Sequence, residues 1–424
     1  MQESRERSIR IVDKVQERKL NTLIHILMAY YILYRMPAVT YYVNTYFSMA
    51  MLVALVVCIF VRGSVRLYAG GRYFVVSAIF FLIVIVDKVM QDGQIMYQLW
   101  DAFLECMPLF IGFLLINYKM EETIRVVVPM IVVFYVITCI TTYNGLQIYP
   151  MASRDMASGL YSGVSYTRIN IGGFDFIYSL VVIHPMFVFL LRTKKHTVLA
   201  ILMSMLMGIC VVESKYTLAA VTFVLSAMAY LLPIKDVERK RKWMIPKIAV
   251  VLVVIFLVAP SVLMYLSEQE FLGSSADKLQ DVARILRGEA AQSSDTFSRQ
   301  RVYRESWETF LEYPIFGCRF FTADPVGGHS FFLDMMAKWG ILGIGIVVAI
   351  VTAVFKWYQG EFGRTNAYYH ILLSLGLSLI VAMVNPVFWT FELGIMVPLF
   401  AYNALYIPQK EHIHWRFRIK IKWR

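Results

Sequence analysis

Cysteine is scarce in this chain and placed where it builds nothing. Five occur in 424 residues; Cys58, Cys106, Cys139 and Cys210 lie inside apolar runs and Cys318 in a polar stretch, with no Cys-x-x-Cys pair. That excludes a disulfide framework and a cysteine zinc site. Charge is also short, at 17% of residues against about 25% in an ordinary soluble domain. The chain lacks an Asp-x-Asp pair and any His/Cys/Asp cluster at ligand spacing, so no metal and no cofactor is expected. It also lacks a fixed-period repeat or internal duplication, which leaves an inverted-repeat transporter without support. No small-residue cleavage site follows the first apolar run, so the mixed-charge lead is expected to be retained in the cytoplasm.

What the chain has in abundance is hydrocarbon: 59% of its residues are hydrophobic, with a mean hydropathy of +0.61. A membrane-crossing helix takes about 20 mostly apolar residues. Twelve candidate runs occur, at 20–36, 39–61, 73–90, 96–117, 125–147, 173–191, 197–213, 217–233, 246–266, 329–355, 367–385 and 388–406. The fold expected is therefore an all-α polytopic membrane protein of about twelve transmembrane helices. It divides into a lead over 1–19, nine spans within 20–266, a large extracytoplasmic loop over 267–328, three spans within 329–406 and a basic tail over 407–424.

The formal charge of +12 is membrane orientation rather than a nucleic-acid surface, because the cations sit in short connections and at the ends, with no basic groove. With the N-terminus inside, every even connection is basic: Arg62, Arg66 and Arg72; Lys119 and Arg125; Arg192, Lys194 and Lys195; the 235–247 cluster; Lys356 and Arg364. Both termini are then cytoplasmic. The 267–328 loop holds two helical patterns, 277–287 with Leu279, Val282, Ile285 and Leu286, and 299–313 with Val302, Phe310 and Leu311. Two amphipathic helices on the outer leaflet are expected, the second stopped by Pro314 and Gly317.

Several polar residues stand out against this background. His329 opens a span, where Ser330 is placed to cap the free amides; its imidazole is either an ordinary interfacial group or one that takes a proton from a hydroxyl or sits on a phosphate. Arg299 and Arg301 precede it in the loop, as solvated cations or as anion ligands. Lys215 lies in the tight 213–215 turn between two spans, an ordinary loop lysine or a point charge at the outer mouth. Arg154 and Arg168 are more simply loop residues. Asp334 and Lys338, four apart on one helix, are expected to pair with each other. Asp101 and Glu105, one turn apart, line a polar cavity or form a proton relay, and Asp87, Lys88 and Glu392 also need partners or water. Tyr30, Tyr31, Tyr34, Tyr41 and Tyr42 are expected to form an interfacial belt.

One spacing is more specific: Ser298-Arg299, Tyr303 four on, Pro314-Ile315-Phe316-Gly317, then His329-Ser330 and Gly340-Ile341-Leu342-Gly343. It resembles the family of O-antigen ligases and of O-antigen, capsule or exopolysaccharide repeat-unit polymerases. Tyr303 stands where that family usually has Trp, Ser214-Lys215 where it has Ser-Arg at an earlier outer turn, and Cys318-Arg319 where it often has a further Gly pair. The resemblance implies a bacterial plasma-membrane glycosyltransferase with its active site on the extracytoplasmic side. Its donor would be a polyprenyl-diphosphate-linked oligosaccharide and its acceptor a saccharide hydroxyl, with other polysaccharide assembly proteins as partners and no nucleic acid. His329 and Arg299 would be catalytic, and Arg299, Lys215 and Arg301 would hold the diphosphate without a metal. Polymerase is the expectation, ligase the alternative within the family, and a flippase of lipid-linked saccharides the alternative outside it.

Overall fold

A first helix, α1 (Gln2–Tyr34), runs without a break from the charged lead into the first apolar run. In a computed structural model of the chain, the residues described are 2–40, 42–63, 71–90, 95–153, 170–231, 260–265, 267–268, 275–286, 294–321 and 326–407. Among them every regular element is helical. A short α2 (Pro37–Thr40) follows α1, then α3 (Thr45–Gly63), α4 (Gly71–Val89), α5 (Ile95–Asn117) and α6 (Glu121–Ile148). Next come α7 (Phe174–Arg192), α8 (Thr197–Glu213) and α9 (Thr217–Ala227), and then the polar arm of α10 (Ser275–Leu286) and α11 (Ser294–Glu312). The chain closes with α12 (Phe331–Phe362), α13 (Tyr368–Val384), a π-helical turn (Glu392–Met396) and α14 (Val397–Tyr406).

Five of these helices, α3, α5, α6, α7 and α12, are long and apolar enough to cross a membrane, and α8, α9 and α13 are apolar but shorter. Among the described residues the chain is all-α, with the apolar helices of a membrane protein. Their outward faces carry large bare aliphatics, such as Val212 and Val224, each 68% exposed. In water a soluble protein does not leave such stripes uncovered. The ninth expected span, 246–266, falls almost wholly outside the described residues, as do Arg154, Arg168 and the tail beyond 407.

The second span starts later than expected. Pro37–Thr40 forms its own turn, and Asn44 then caps α3, its Oδ1 accepting from the amides of Tyr46 and Phe47 at 2.9 and 3.3 Å. The tyrosine belt is also corrected. Tyr31 and Tyr34 are buried, Tyr34 accepts from Trp100 Nε1 at 2.9 Å, and Tyr30 bonds Ser48 at 2.7 Å. Three of these rings therefore pack α1 to its neighbours, while Tyr42 stays exposed.

Two backbone crossings fix the part of the fold that matters most. Gly112 in α5 lies so close to the π turn that a Cβ there would sit 1.6 Å from the Gly394 oxygen. The arm is held the same way. Pro314 ends α11, and Gly317 turns the chain at φ +75° while a Cβ on it would meet the Lys338 carbonyl at 2.2 Å. Opposite, α12 kinks at Gly340 with φ +61° and ψ −144°, which exposes the Ile341 amide to donate to Pro314 O at 2.8 Å. The two glycine motifs thus face each other and lock main chain to main chain. Only glycine takes these dihedrals without strain.

Beside this latch, Asp87 at the end of α4 accepts from Arg319 Nε at 2.9 Å and Lys338 Nζ at 3.2 Å. This corrects the expected Asp334–Lys338 pair. The two cations converge on a carboxylate from a different helix, and Asp334 instead accepts from the Gly328 amide at 2.8 Å. Arg319 is 6% exposed, and with its ion pair to Asp87 it is a strut between arm, α4 and α12.

Candidate functional site

Helix α11 presents its packed face through Tyr303, Ser306 and Phe310, one helical stripe against α12, whereas Leu311 and Trp307 point outward at 59% and 45% exposed. Arg299, one turn before Tyr303, lies above this face within electrostatic reach of the Tyr303 phenol. The Tyr303 hydroxyl reaches Val384 O at 3.4 Å. The next carbonyl, Asn385 O, accepts from the Phe331 amide at 2.9 Å, where α12 begins. Ser330 caps that start, its Oγ accepting from the Leu333 amide at 3.3 Å.

His329 stands in the approach to α12, half-buried. Burial first, and then the Arg299 guanidinium, hold its imidazole below the ordinary histidine value. The ring is therefore neutral near pH 7, with a nitrogen available to accept a proton. On Tyr303 the balance runs the other way: burial raises the phenol although Arg299 opposes it. Residues 30 apart in sequence, Arg299 and His329, thus come within electrostatic reach of each other across the junction of arm and helix.

Tyr178 of α7 closes the other side of this mouth. It lies within electrostatic reach of Arg299 and beside the Asn385 side chain. Its ring packs on Phe174, Tyr216 and Trp389 at 4.7, 5.8 and 5.8 Å between centroids. Lys215 precedes Tyr216 in the turn, left-handed at φ +57° and exposed. The described contacts bring its neighbour, not Lys215 itself, toward Arg299.

Arg301 is elsewhere. Two residues along a helix is about 200° around it, and Arg301 pairs with Glu305 at 3.4 Å on the exposed face. Arg304 does the same with Glu308 at 2.7 Å. Of the four residues singled out in the sequence, the structure places Arg299 and His329 within electrostatic reach of each other, leaves Lys215 exposed in its turn beside Tyr216 and turns Arg301 away.

Behind the Phe174–Trp389 wall lies a cavity of about 660 Å³. It is bounded by the end of α1, α4 and α5, by α6, by the start of α7 and by the 386–392 segment, at the same end of the bundle as the arm. Six charged residues line it: Arg35, Lys88, Asp101, Glu105, Asp175 and Glu392. Between them stand the rings of Tyr34, Phe134, Tyr135, Phe176 and Phe388. Arg35 stacks over Phe391 at 4.7 Å, Lys88 approaches Glu105 at 3.9 Å, and Tyr135 Oη donates to Glu392 at 3.4 Å. Of the two readings open for Asp101 and Glu105, the structure shows the cavity lining. Arg35, Asp175 and Tyr178 escaped the sequence reading. The signal available was a charged residue beside an apolar run, which asks for a partner or for water.

Among the described residues, no group of three or more His, Cys, Asp or Glu side chains is arranged to hold a metal ion. Compared with known proteins, the chain matches no family model, and no curated protein matches it significantly.

Proposed function

We propose that the protein is a polymerase of lipid-linked oligosaccharide repeats, a metal-independent inverting glycosyltransferase of the bacterial plasma membrane. Twelve spans, both termini in the cytoplasm and a mouth on the extracytoplasmic side complete this reading. The observation that carries it is the placement of Arg299 against His329 and Tyr303. A guanidinium on the arm lies within electrostatic reach of a neutral imidazole at the start of a span, at an aromatic-walled mouth.

A sugar on a polyprenyl diphosphate brings a good leaving group and about two negative charges to the membrane surface. Arg299 receives the phosphate oxygens and neutralises the charge that builds as the bond from the anomeric carbon to the phosphate oxygen breaks. An acceptor hydroxyl attacks from the opposite face and forms the new glycosidic bond, and its proton passes to His329. The polyprenyl diphosphate keeps the bonding electron pair and remains in the membrane. Lys215, at the end of its own rigid turn, adds a second positive charge to the field as the carrier docks. Arg301 has no part in this cradle.

The test is chain growth by purified protein given one polyprenyl-diphosphate oligosaccharide in nanodiscs. Products longer by whole repeats, abolished by Arg299→Ala at equal folding, are the expected result. Transfer only to a lipid A core would make the protein a ligase, and translocation without a new linkage would make it a flippase.

A further inference from the structure

The mouth accounts for the diphosphate and leaves the cavity behind it unused. Three features of that cavity point to one class of ligand. Its volume, about 660 Å³, falls within the range of about 300–1,000 Å³ typical of small-molecule sites. Its charged lining is four carboxylates against two cations, Arg35 and Lys88, so with all of them ionised it is negative. It is also walled by aromatic rings, and its floor is the π-helical turn that begins at Glu392, 4% exposed. Such turns recur at functional sites because they redirect a side chain and free a carbonyl; here Leu393 O is taken by the Tyr358 hydroxyl.

Four carboxyl groups against two cations, set among aromatic rings, disfavour a second phosphate or an acidic sugar. Carboxylates are acceptors only, so they suit a ligand rich in donors. Rings suit one whose faces are C–H bonds. Hydroxyl-rich sugars meet both conditions, and an amino sugar adds a positive charge.

We propose that this cavity is a saccharide subsite for an uncharged or amine-bearing oligosaccharide, held by its hydroxyls on Asp101, Glu105, Asp175 and Glu392. Resting on the glycosyltransferase reading, it assigns the acceptor's sugars to the cavity and the donor's diphosphate to the mouth. The Phe174–Trp389 wall lies between the two: Trp389 Nε1 donates to Asp175 O at 3.4 Å on the cavity side, and Tyr178, next to Arg299, packs on both rings.

The experiment is ligand-observed NMR on the full-length protein in nanodiscs, with chitotriose, maltotriose, trigalacturonate and inorganic pyrophosphate as separate probes. Chitotriose or maltotriose is expected to bind, and trigalacturonate at least tenfold more weakly. Losing a hydrogen bond to a charged group costs about 1.5–3 kcal/mol, so Asp101→Asn and Glu392→Gln should each weaken the neutral probe about tenfold or more. Arg299→Ala should leave it unchanged. Pyrophosphate should show the reverse pattern, sensitive to Arg299→Ala and indifferent to Asp101→Asn. Asp101 lies at an exposed position, so its variant keeps the test sound if Glu392→Gln fails to fold. No binding of either chitotriose or maltotriose, binding indifferent to both cavity variants, or equal binding of trigalacturonate overturns the subsite and leaves the mouth standing. Saccharide binding that depends on the cavity, together with chain growth indifferent to Arg299→Ala, overturns the mouth and leaves the subsite.

Discussion

Replacing Gly317 by alanine tests the latch that sets the distance between arm and bundle. The native φ of +75° lies in the region L side chains avoid, and the new Cβ would stand 2.2 Å from the Lys338 carbonyl carbon and oxygen. The dihedral costs about 1–2 kcal/mol and the overlap about 1–3 kcal/mol, so the docked arm should lose about 2–5 kcal/mol. At 1.4 kcal/mol for each factor of ten, the undocked population rises at least about thirtyfold. Gly345→Ala is the control: it lies on the same helix, where an added Cβ meets nothing within 4 Å, and the helix should gain up to about 1 kcal/mol. Hydrogen exchange in nanodiscs reads both variants. Gly317→Ala should speed exchange across 294–321 and the start of α12, sparing α5, α6 and α7, and chain growth should fall with it. Unchanged exchange in the arm, or equal loosening of the whole bundle, would refute the latch.

Chain growth by the wild type should decline as pH falls through the lowered His329 value, because protonated imidazole cannot take the acceptor's proton. His329→Ala should keep a residue of activity, reduced by about 10²–10⁴, the usual worth of a general base. Removing the Arg299 charge should raise the His329 value, since a neighbouring cation opposes protonation; NMR titration of labelled imidazole in Arg299→Ala checks the sign. Asp87→Asn leaves Arg319 and Lys338 without their shared anion, and thermal unfolding should report a loss of about 3–5 kcal/mol, partly recovered in Asp87→Glu. Arg301→Ala, on the exposed face with Glu305, should change stability by no more than about 1 kcal/mol and leave chain growth intact.

Local signals in the sequence carried well. The Pro-x-x-Gly stop after α11, the serine cap on α12 and the helical character of both loop segments follow from interactions within a few residues, and each is in the structure. What failed was long-range choice. Asp334 and Lys338 have the right spacing for each other, yet Asp87, 251 positions from Lys338, outcompetes. The tyrosines of α1 suit an interface by chemistry, but Trp100 and Phe391 from later helices bury two of them. The cavity was the least legible feature. Only Asp101 and Glu105 of its six charges share an element, and each alone is only a polar residue near oil. Arg301 is a different case, since its angle to Arg299 around a helix was already fixed by two residues of spacing.

The grip between residues 314–317 and 338–341 is made by carbonyls, amides and missing side chains. Almost any amino acid can therefore vary on the outward faces of the arm without changing where its first turn stands. A lineage could redraw that outward surface while the backbone grip beneath kept its register, so variation of the surface and constancy of the docking geometry are separable in this architecture.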